Sequence, residues 1–291
     1  SAILALAAIS GRAEDAVAPA KPEGPKYLLR YKFKPGEIIR TQIWHRASSE
    51  TTIEGVTQSS ESTSGSIKAW KIVSVDAEGQ ITFEHSVESV NMRQKVSDHQ
   101  EVTYNSLTDK DPPPIYASVP QSLGKPLTVL TIDPSGQTIK RVDKRQNAPA
   151  DSQNNDMVFP LPENSKAIGE SWDVPHDITI SLENNETKLI KTRQHYTLEK
   201  VANGVATISV ATQVLTPVNN PKIQSQLVQR LTQGTVKFDI DNGRILSKQL
   251  DLDERVLGFH GNNSSIHFVG RFTEDYLPPE AKTAAKPKTT K

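Results

Sequence analysis

The sequence predicts a mainly β protein made of two diverged copies of one antiparallel sheet unit, each with one short helix, in a half-barrel or sandwich-like arrangement. Short runs of alternating apolar and polar residues recur between Gly turns. Several of these runs repeat in the same order along the chain. With 35% hydrophobic and 5% aromatic residues and a mean hydropathy of -0.50, the chain is globular but polar.

The N-terminal residues 1–13 resemble the remnant of a signal peptide. Residues 2–9 form an uncharged apolar run, and cleavage after Ala13 would place the small residue Gly11 at the -3 position. The run is too short to span a bilayer, although an ordinary N-terminal helix is the alternative reading. We therefore expect an exported protein, periplasmic or secreted and not membrane-spanning, with a flexible Pro/Ala linker over residues 14–26.

The first sheet unit is predicted to occupy residues 27–150. Leu29, Tyr31 and Phe33 alternate with polar residues ahead of a Pro35-Gly36 turn, and a second alternating run follows it, which is the pattern of a hairpin. The Ser/Thr-rich stretch over residues 48–66 reads as an exposed strand pair or a mobile loop.

Two hairpins of the first unit have counterparts in the second. Residues 70–83, with a turn around Gly79, match residues 196–208, with a turn around Gly204. Residues 130–136 likewise match residues 238–243, where Asp supplies a local hydrogen bond and Gly a positive φ. These ordered matches predict that the two units descend from a duplication.

Each matching hairpin is preceded by apolar residues at a spacing of four. In the second unit Asn220 is placed to cap a helix, Pro221 to begin it and Gly234 to end it. In the first unit Pro120 interrupts the series, so we expect only a short or broken turn. The two series are Ile115, Val119 and Leu123, and Ile223, Leu227 and Leu231.

A polar stretch with Pro149 separates the units and predicts a boundary near Asp151, so that the second unit occupies residues 151–277. A polar, Pro-rich insertion between Val96 and Pro114 lengthens the first unit. Residues 278–291 are rich in Lys and Pro and are expected to form a flexible tail.

Charge and composition exclude several partner and cofactor classes. The 34 basic and 34 acidic residues cancel, so no overall field draws the chain to nucleic acid. None of the seven His residues has metal-site spacing, and Cys is absent. Asp239, Asp241 and Gly243 do not follow the register of a calcium loop. We therefore predict no metal and no cofactor.

The sequence assigns no catalytic residue, and we predict that the protein is not an enzyme. It has no nucleophile elbow and no phosphate-binding glycine loop, and Ser247-Lys248 and Ser165-Lys166 are adjacent pairs that alternate to opposite faces of a strand. Asp251 and Asp253 fall on one face and suggest an acid/base pair. A salt-bridged strand with Arg244, Lys248 and Arg255 nearby explains the same carboxylates more simply.

The three Trp residues allow two readings. Trp44, Trp70 and Trp172 could line a ligand cavity. Trp70 and its counterpart Tyr196 are more simply core anchors of the repeated hairpins. The sequence therefore leaves the ligand-binding residues unassigned.

Three motifs carry a family resemblance over most of residues 27–277. The patterns at residues 29–37, 168–172 and 238–243 resemble an uncharacterised family of exported bacterial β-rich proteins. This resemblance implies export and β architecture only. The layout is also similar to the lipoprotein-carrier type of half-barrel, a curved sheet with helices in its mouth, as a fold analogy.

Three hypotheses for function follow. The first is a non-catalytic exported protein that binds an apolar small molecule or lipid between a concave sheet and its helix. The second is a cell-envelope module that binds an envelope protein through its sheet edges, its insertion and its tail. The third is a hydrolase with an unrecognised site.

Overall fold

The computed structural model describes residues 24–144, 157–182 and 186–279. The predicted signal peptide, the unit boundary at Asp151 and most of the tail lie outside these ranges. The strands are β1 Ile38–Ile53, β2 Val56–Val75, β3 Ile81–Val96, β4 Val102–Asn105, β5 Thr128–Ile132, β6 Thr138–Asp143, β7 Ser171–Pro175, β8 Ile178–Ser181, β9 Thr187–Ile190, β10 Thr192–Ala202, β11 Val205–Val214, β12 Gln233–Asp239, β13 Arg244–Leu257 and β14 Ser265–Leu277.

Twelve of these strands form one antiparallel sheet, which confirms the mainly β prediction. Their order is β6-β5-β3-β2-β1-β14-β13-β12-β11-β10-β7, with β4 paired to β3, while β8 and β9 form a separate small sheet. The chain thus starts in the middle of the row and proceeds to the β6 edge. It then crosses to the β7 edge and returns until β14 pairs with β1.

The four hairpins predicted from Gly turns are confirmed. They connect β2 to β3, β5 to β6, β10 to β11 and β12 to β13. Their glycines have φ values of 80° at Gly79, 88° at Gly136, 74° at Gly204 and 60° at Gly243, in the left-handed region that favours Gly. The Ser/Thr-rich stretch is likewise a strand pair, because β1 turns into β2 at Glu54 and Gly55.

The prediction of a strand over Leu29, Tyr31 and Phe33 is wrong. Residues 28–34 are extended but pair with no strand of the sheet. They cross one face of it, which we call the inner face, and the three alternating side chains are 0%, 4% and 7% exposed. Alternating apolar and polar residues indicate an extended segment with one buried face. A segment that lies on a sheet has this pattern just as a strand within the sheet does.

The contacts of residues 28–34 show that the sheet curls strongly. The Tyr31 amide donates to the Pro134 carbonyl in the β5–β6 turn at 2.8 Å, and the Lys32 amide donates to the Gly243 carbonyl in the β12–β13 turn at 3.1 Å. In a flat sheet the six steps from β5 to β12 would span about 29 Å. Only a curled sheet brings both turns to adjacent residues.

The curled sheet encloses one hydrophobic core on its inner face. It draws on both predicted units, since Phe83 and Leu130 of the first and Leu198, Ile208 and Phe238 of the second are at most 2% exposed. Tyr31 packs on Phe238 with ring centroids 5.7 Å apart. The two units therefore share one core.

The helical segments are shorter than the apolar spacing suggested. Helix α1 covers Pro221–Leu227, and the Asn220 side chain accepts a hydrogen bond from the Lys222 amide as the predicted cap. Gly234, predicted to end this helix, instead lies in β12, where a Cβ would stand 1.9 Å from the Gln249 carbonyl oxygen. That glycine is required by the close approach of two strands.

The first-unit series forms only two single 3-10 turns, Pro114–Tyr116 and Pro120–Ser122, as the position of Pro120 predicted. Tyr116 stacks on Tyr104 of β4 with centroids 6.2 Å apart. In the described part of the chain, no helix has the length and apolar character needed to cross a membrane.

Candidate functional site

The two ends of the curled sheet border a cavity. Its walls come from the β5–β6 hairpin at one end of the row and from β7 at the other, with residues 157–166 between them. The volume is about 670 Å³. We call it the edge cavity.

Apolar side chains make up much of the edge cavity. Trp172 of β7 stacks on Tyr196 with ring centroids 5.3 Å apart, and its indole NH points to the Pro160 carbonyl at 3.4 Å. This stacking fixes the Trp ring as part of the wall. The other apolar residues of the lining include Leu130, Met157, Val158, Leu161 and Val174.

Two of the four charged residues in the lining, Arg141 and Asp173, are paired with neighbouring side chains. Arg141 of β6 bonds both carboxylate oxygens of Asp143 at 3.1 Å. Asp173 of β7 bonds Arg193 at 2.8 Å and His195 Nδ1 at 2.6 Å. The edge cavity therefore presents polar and apolar surface in about equal parts, and ion pairs neutralise Arg141 and Asp173 in its lining.

Residues 158–162 are held against the sheet. The Tyr31 hydroxyl donates to the Phe159 carbonyl at 2.9 Å, and the Leu161 amide donates to the Ser135 carbonyl at 2.7 Å. Val158, Phe159 and Leu161 are each at most 7% exposed. Burial raises the pKa of the Tyr31 hydroxyl well above its usual value, with the nearby Glu274 carboxylate adding to the shift.

A second, much smaller space lies on the inner face beyond Met157. It holds about 20 Å³, roughly the room of one water molecule, and we call it the inner chamber. Met157 lines both this chamber and the edge cavity. The rest of its wall is aromatic and charged and includes Tyr31, Phe33, Trp70, Phe159 and Arg244.

Three charged side chains meet at the inner chamber. Lys68 of β2 lies opposite Thr41 of β1, and Glu274 of β14 lies opposite Lys248 of β13, so four successive strands contribute. The Lys68 ammonium donates to Glu274 Oε1, the Thr41 hydroxyl donates to the same oxygen at 3.1 Å, and Lys248 Nζ is 3.4 Å from Oε2. We call this the Lys-Glu-Lys cluster.

The charges of the cluster determine the ionisation of its members. Burial by itself would raise the pKa of Glu274, but the adjacent Lys68 and Lys248 ammonium groups lower it to about 2. Burial lowers the pKa of Lys68, and the Glu274 carboxylate opposes that shift. Glu274 is therefore a carboxylate at neutral pH.

The carboxylates considered as a catalytic pair lie elsewhere. Asp251 and Asp253 share the outer face of β13, where Asp251 bonds Arg271 at 2.5 Å and Asp253 bonds His267 at 2.7 Å. The salt-bridged explanation is confirmed, although β14 supplies both partners. The expectation that Arg244 and Lys248 belong to this group is wrong, because Arg244 pairs with Glu37 at 2.8 Å and Lys248 with Glu274 at 3.4 Å.

The other residues considered from the sequence as metal or ligand contacts lie apart from one another in the structure. Asp239 and Gly243 belong to the β12–β13 turn, in which Asp239 accepts the Asn242 amide at 2.8 Å. Trp70 is a core residue stacked on Phe83, as expected, with centroids 4.5 Å apart. Trp44 lies on the outer face against Gly65. Among the described residues, no three His, Asp or Glu side chains gather as a metal site.

Two comparisons with known proteins found nothing: no protein-family model and no curated protein matches the chain. Among solved structures, it is similar to one that describes lipid-protein interactions in lipovitellin, with 12% sequence identity and a TM-score of 0.50. That match covers 88% of this chain but only 26% of the lipovitellin chain. It shows a shared fold.

A second solved structure, DynF from the dynemicin biosynthesis pathway of Micromonospora chersina, is 9% identical, with a TM-score of 0.21. The match covers 91% of this chain and 95% of that one. A similarity at this level carries no argument about fold or function.

Proposed function

We propose that this protein is a non-catalytic binding protein for an apolar small molecule or lipid, and that the edge cavity holds the ligand. The observation that carries the proposal is the size and lining of this cavity, about 670 Å³ with a wall of Trp172, Leu130, Leu161 and Val174. Small-molecule sites commonly measure about 300–1,000 Å³, so this cavity has the size of such a site.

The construction of the cavity also favours binding over catalysis. Its Asp143 and Asp173 neighbours are held in ion pairs with Arg141 and Arg193. Part of the wall is preformed, because residues 159–162 are fixed by hydrogen bonds. A wall that is already ordered needs little further ordering when a ligand binds, which favours affinity.

The shared fold with lipovitellin supports the same reading. The lipovitellin structure concerns lipid-protein interactions, and this chain matches about a quarter of its length. We also propose that the protein works in the periplasm or outside the cell, on the strength of the apolar N-terminal run.

A neutral apolar fluorophore tests the proposal. N-phenyl-1-naphthylamine, whose emission rises in apolar surroundings, should bind the full chain saturably at one site. Val174→Trp would place an indole ring in the cavity and should weaken binding about 10-fold or more, because the ring and the probe compete for the same space and overpacking costs about 1–3 kcal/mol. Val142→Trp is the matched control, since Val142 is an exposed residue of β6 outside the lining.

Thr138→Trp provides a second cavity-filling variant at an exposed position of the β6 edge. Thermal unfolding should show that the variants remain folded. The proposal fails if wild type gives no saturable signal, or if V174W and T138W both bind the probe as tightly as V142W does.

A further inference from the structure

We infer that the ligand is an amphiphile with one anionic headgroup, whose tail occupies the edge cavity and whose headgroup binds Lys68 and Lys248 in the inner chamber. This inference rests on the proposed function and adds the chemical class of the ligand. Three features carry it: the charge of the cluster, the free donors of Lys248 and the position of Met157.

By formal charge, the Lys-Glu-Lys cluster has one more cation than anions. Two ammonium groups face the single carboxylate of Glu274, and the side chains of Lys68, Lys248 and Glu274 are only 11%, 17% and 8% exposed. The nearby Arg244 does not change this balance, because it pairs with Glu37 at 2.8 Å. A buried charge without a partner is costly, so the site favours an added anion.

Lys248 has hydrogen-bond donors to offer that anion. Its ammonium is 3.4 Å from the Glu274 carboxylate and 4.9 Å from the centroid of the Phe272 ring. Within the described residues it makes no hydrogen bond. An ammonium group carries three donors, so Lys248 can bind a carboxylate oxygen without releasing Glu274.

Met157 connects the charged site to the edge cavity. Its side chain lines both spaces, with the cavity of about 670 Å³ on one side and the chamber of about 20 Å³ on the other. Methionine is unbranched and adapts its shape readily. A ligand can therefore pass Met157, replacing a water-sized volume with its headgroup while its tail stays in the larger cavity.

The size of the inner chamber selects among anionic headgroups. A carboxylate at the end of an acyl chain is small and matches the single surplus charge of the cluster. A phosphodiester headgroup carries substituents on both sides, which a space of about 20 Å³ does not admit. The inferred ligand is a long-chain fatty acid.

Fluorescent cis-parinaric acid and its methyl ester test this inference, because they share a tail and differ in charge. Wild-type protein should bind the acid about 10- to 100-fold more tightly than the ester, as expected for a hydrogen bond to a charged group. Lys248→Gln should lose most of this preference for the acid over the ester. Lys237→Gln, at an exposed position of β12, should retain it.

Lys68→Gln is a second variant of the cluster and should also reduce the preference for the acid. The inference is overturned if wild type binds acid and ester equally, or if K248Q and K68Q bind both ligands like wild type. N-phenyl-1-naphthylamine distinguishes a failure of the headgroup inference from a failure of the proposed function. If this neutral probe binds but the acid is not preferred, only the inference on the headgroup fails. If no apolar probe binds, the proposed function fails with it.

Discussion

Glu274 lies between two ammonium groups on the inner face of the sheet, and its replacement should destabilise the fold. Without its carboxylate, Lys68 and Lys248 would be buried like charges with no partner. Breaking a buried ion pair on one side typically costs about 3–5 kcal/mol. We expect Glu274→Gln to lower the free energy of unfolding by about that amount at pH 7, measured by urea denaturation.

The same variant has a defined pH dependence. The folded-state pKa of Glu274 is about 2, below its ordinary value of 4.5, so its contribution to stability is complete above about pH 4.5 and is lost as the pH falls toward 2. The stability difference between wild type and E274Q should shrink over that window.

Glu88→Gln, which removes an exposed partner of Arg40, is the control and should cost less than about 1 kcal/mol. A difference between wild type and E274Q that is no larger than that for E88Q would contradict the role of Glu274.

Part of this cluster was readable in the sequence. Strict alternation along β13 places Lys248 on the face opposite to Asp251 and Asp253, so sequence alone separates it from the exposed salt bridges. Glu274 likewise shares one face of β14 with Phe272 and Tyr276, two residues to either side. The sequence does not reveal that β14 pairs with β1, and that pairing is what brings Glu274 to Lys68.

At the scale of elements, residues 28–34 connect two distant turns through hydrogen bonds from Tyr31 and Lys32. Gly243 has a φ of 60°, and a Cβ there would lie 2.4 Å from the Lys32 amide nitrogen. Gly55, in the β1–β2 turn, has a φ of 82° with nothing within 4 Å of its Cβ position. The two glycines thus share a left-handed backbone but differ in packing.

This difference gives a paired test. Gly55→Ala should cost about 1 kcal/mol through backbone strain alone, whereas Gly243→Ala should cost about 2 kcal/mol more because it also displaces residues 28–34. Hydrogen exchange of the peptide containing Tyr31 and Lys32 should accelerate in G243A and not in G55A. Equal exchange in the two variants would show that the turn does not hold this segment.

Turns and hairpins were the most predictable elements. Each of the four predicted turns contains a glycine with a positive φ, at Gly79, Gly136, Gly204 and Gly243. Because glycine adopts this backbone conformation more readily than other residues, such turns can be predicted from the local sequence. Helix length was less predictable: α1 ends at Leu227, although the apolar spacing extends to Leu231, and β12 begins at Gln233. The pairing of β12, which includes the predicted helix end Gly234, is not visible in the apolar spacing.

At the scale of the whole molecule, the edge cavity could not be predicted from sequence. Its walls come from residues 130–141, 157–166 and 172–175, which meet only because the sheet curls until its two ends face each other. The curl depends on contacts between the two predicted units. Nothing in the local pattern of either unit specifies it.

The whole-molecule arrangement also bears on the proposed duplication. The turns matched in the sequence, at residues 133–136 and 239–243, accept hydrogen bonds from adjacent amides of one segment, at Tyr31 and Lys32. Both turns therefore contact the same segment, and the duplication stays a prediction from the sequence. A duplicated unit that closes around a shared core would leave a gap at its two free edges, where the edge cavity lies.

Native mass spectrometry of the full chain, purified without detergent or organic solvent, tests the central proposal most directly. We expect one additional mass of lipid size per chain, lost on collisional activation, retained in V142W and absent from V174W. A wild-type protein that has only its sequence mass, and that takes up neither long-chain fatty acids nor their methyl esters on incubation, would contradict the assignment of the edge cavity as a ligand site.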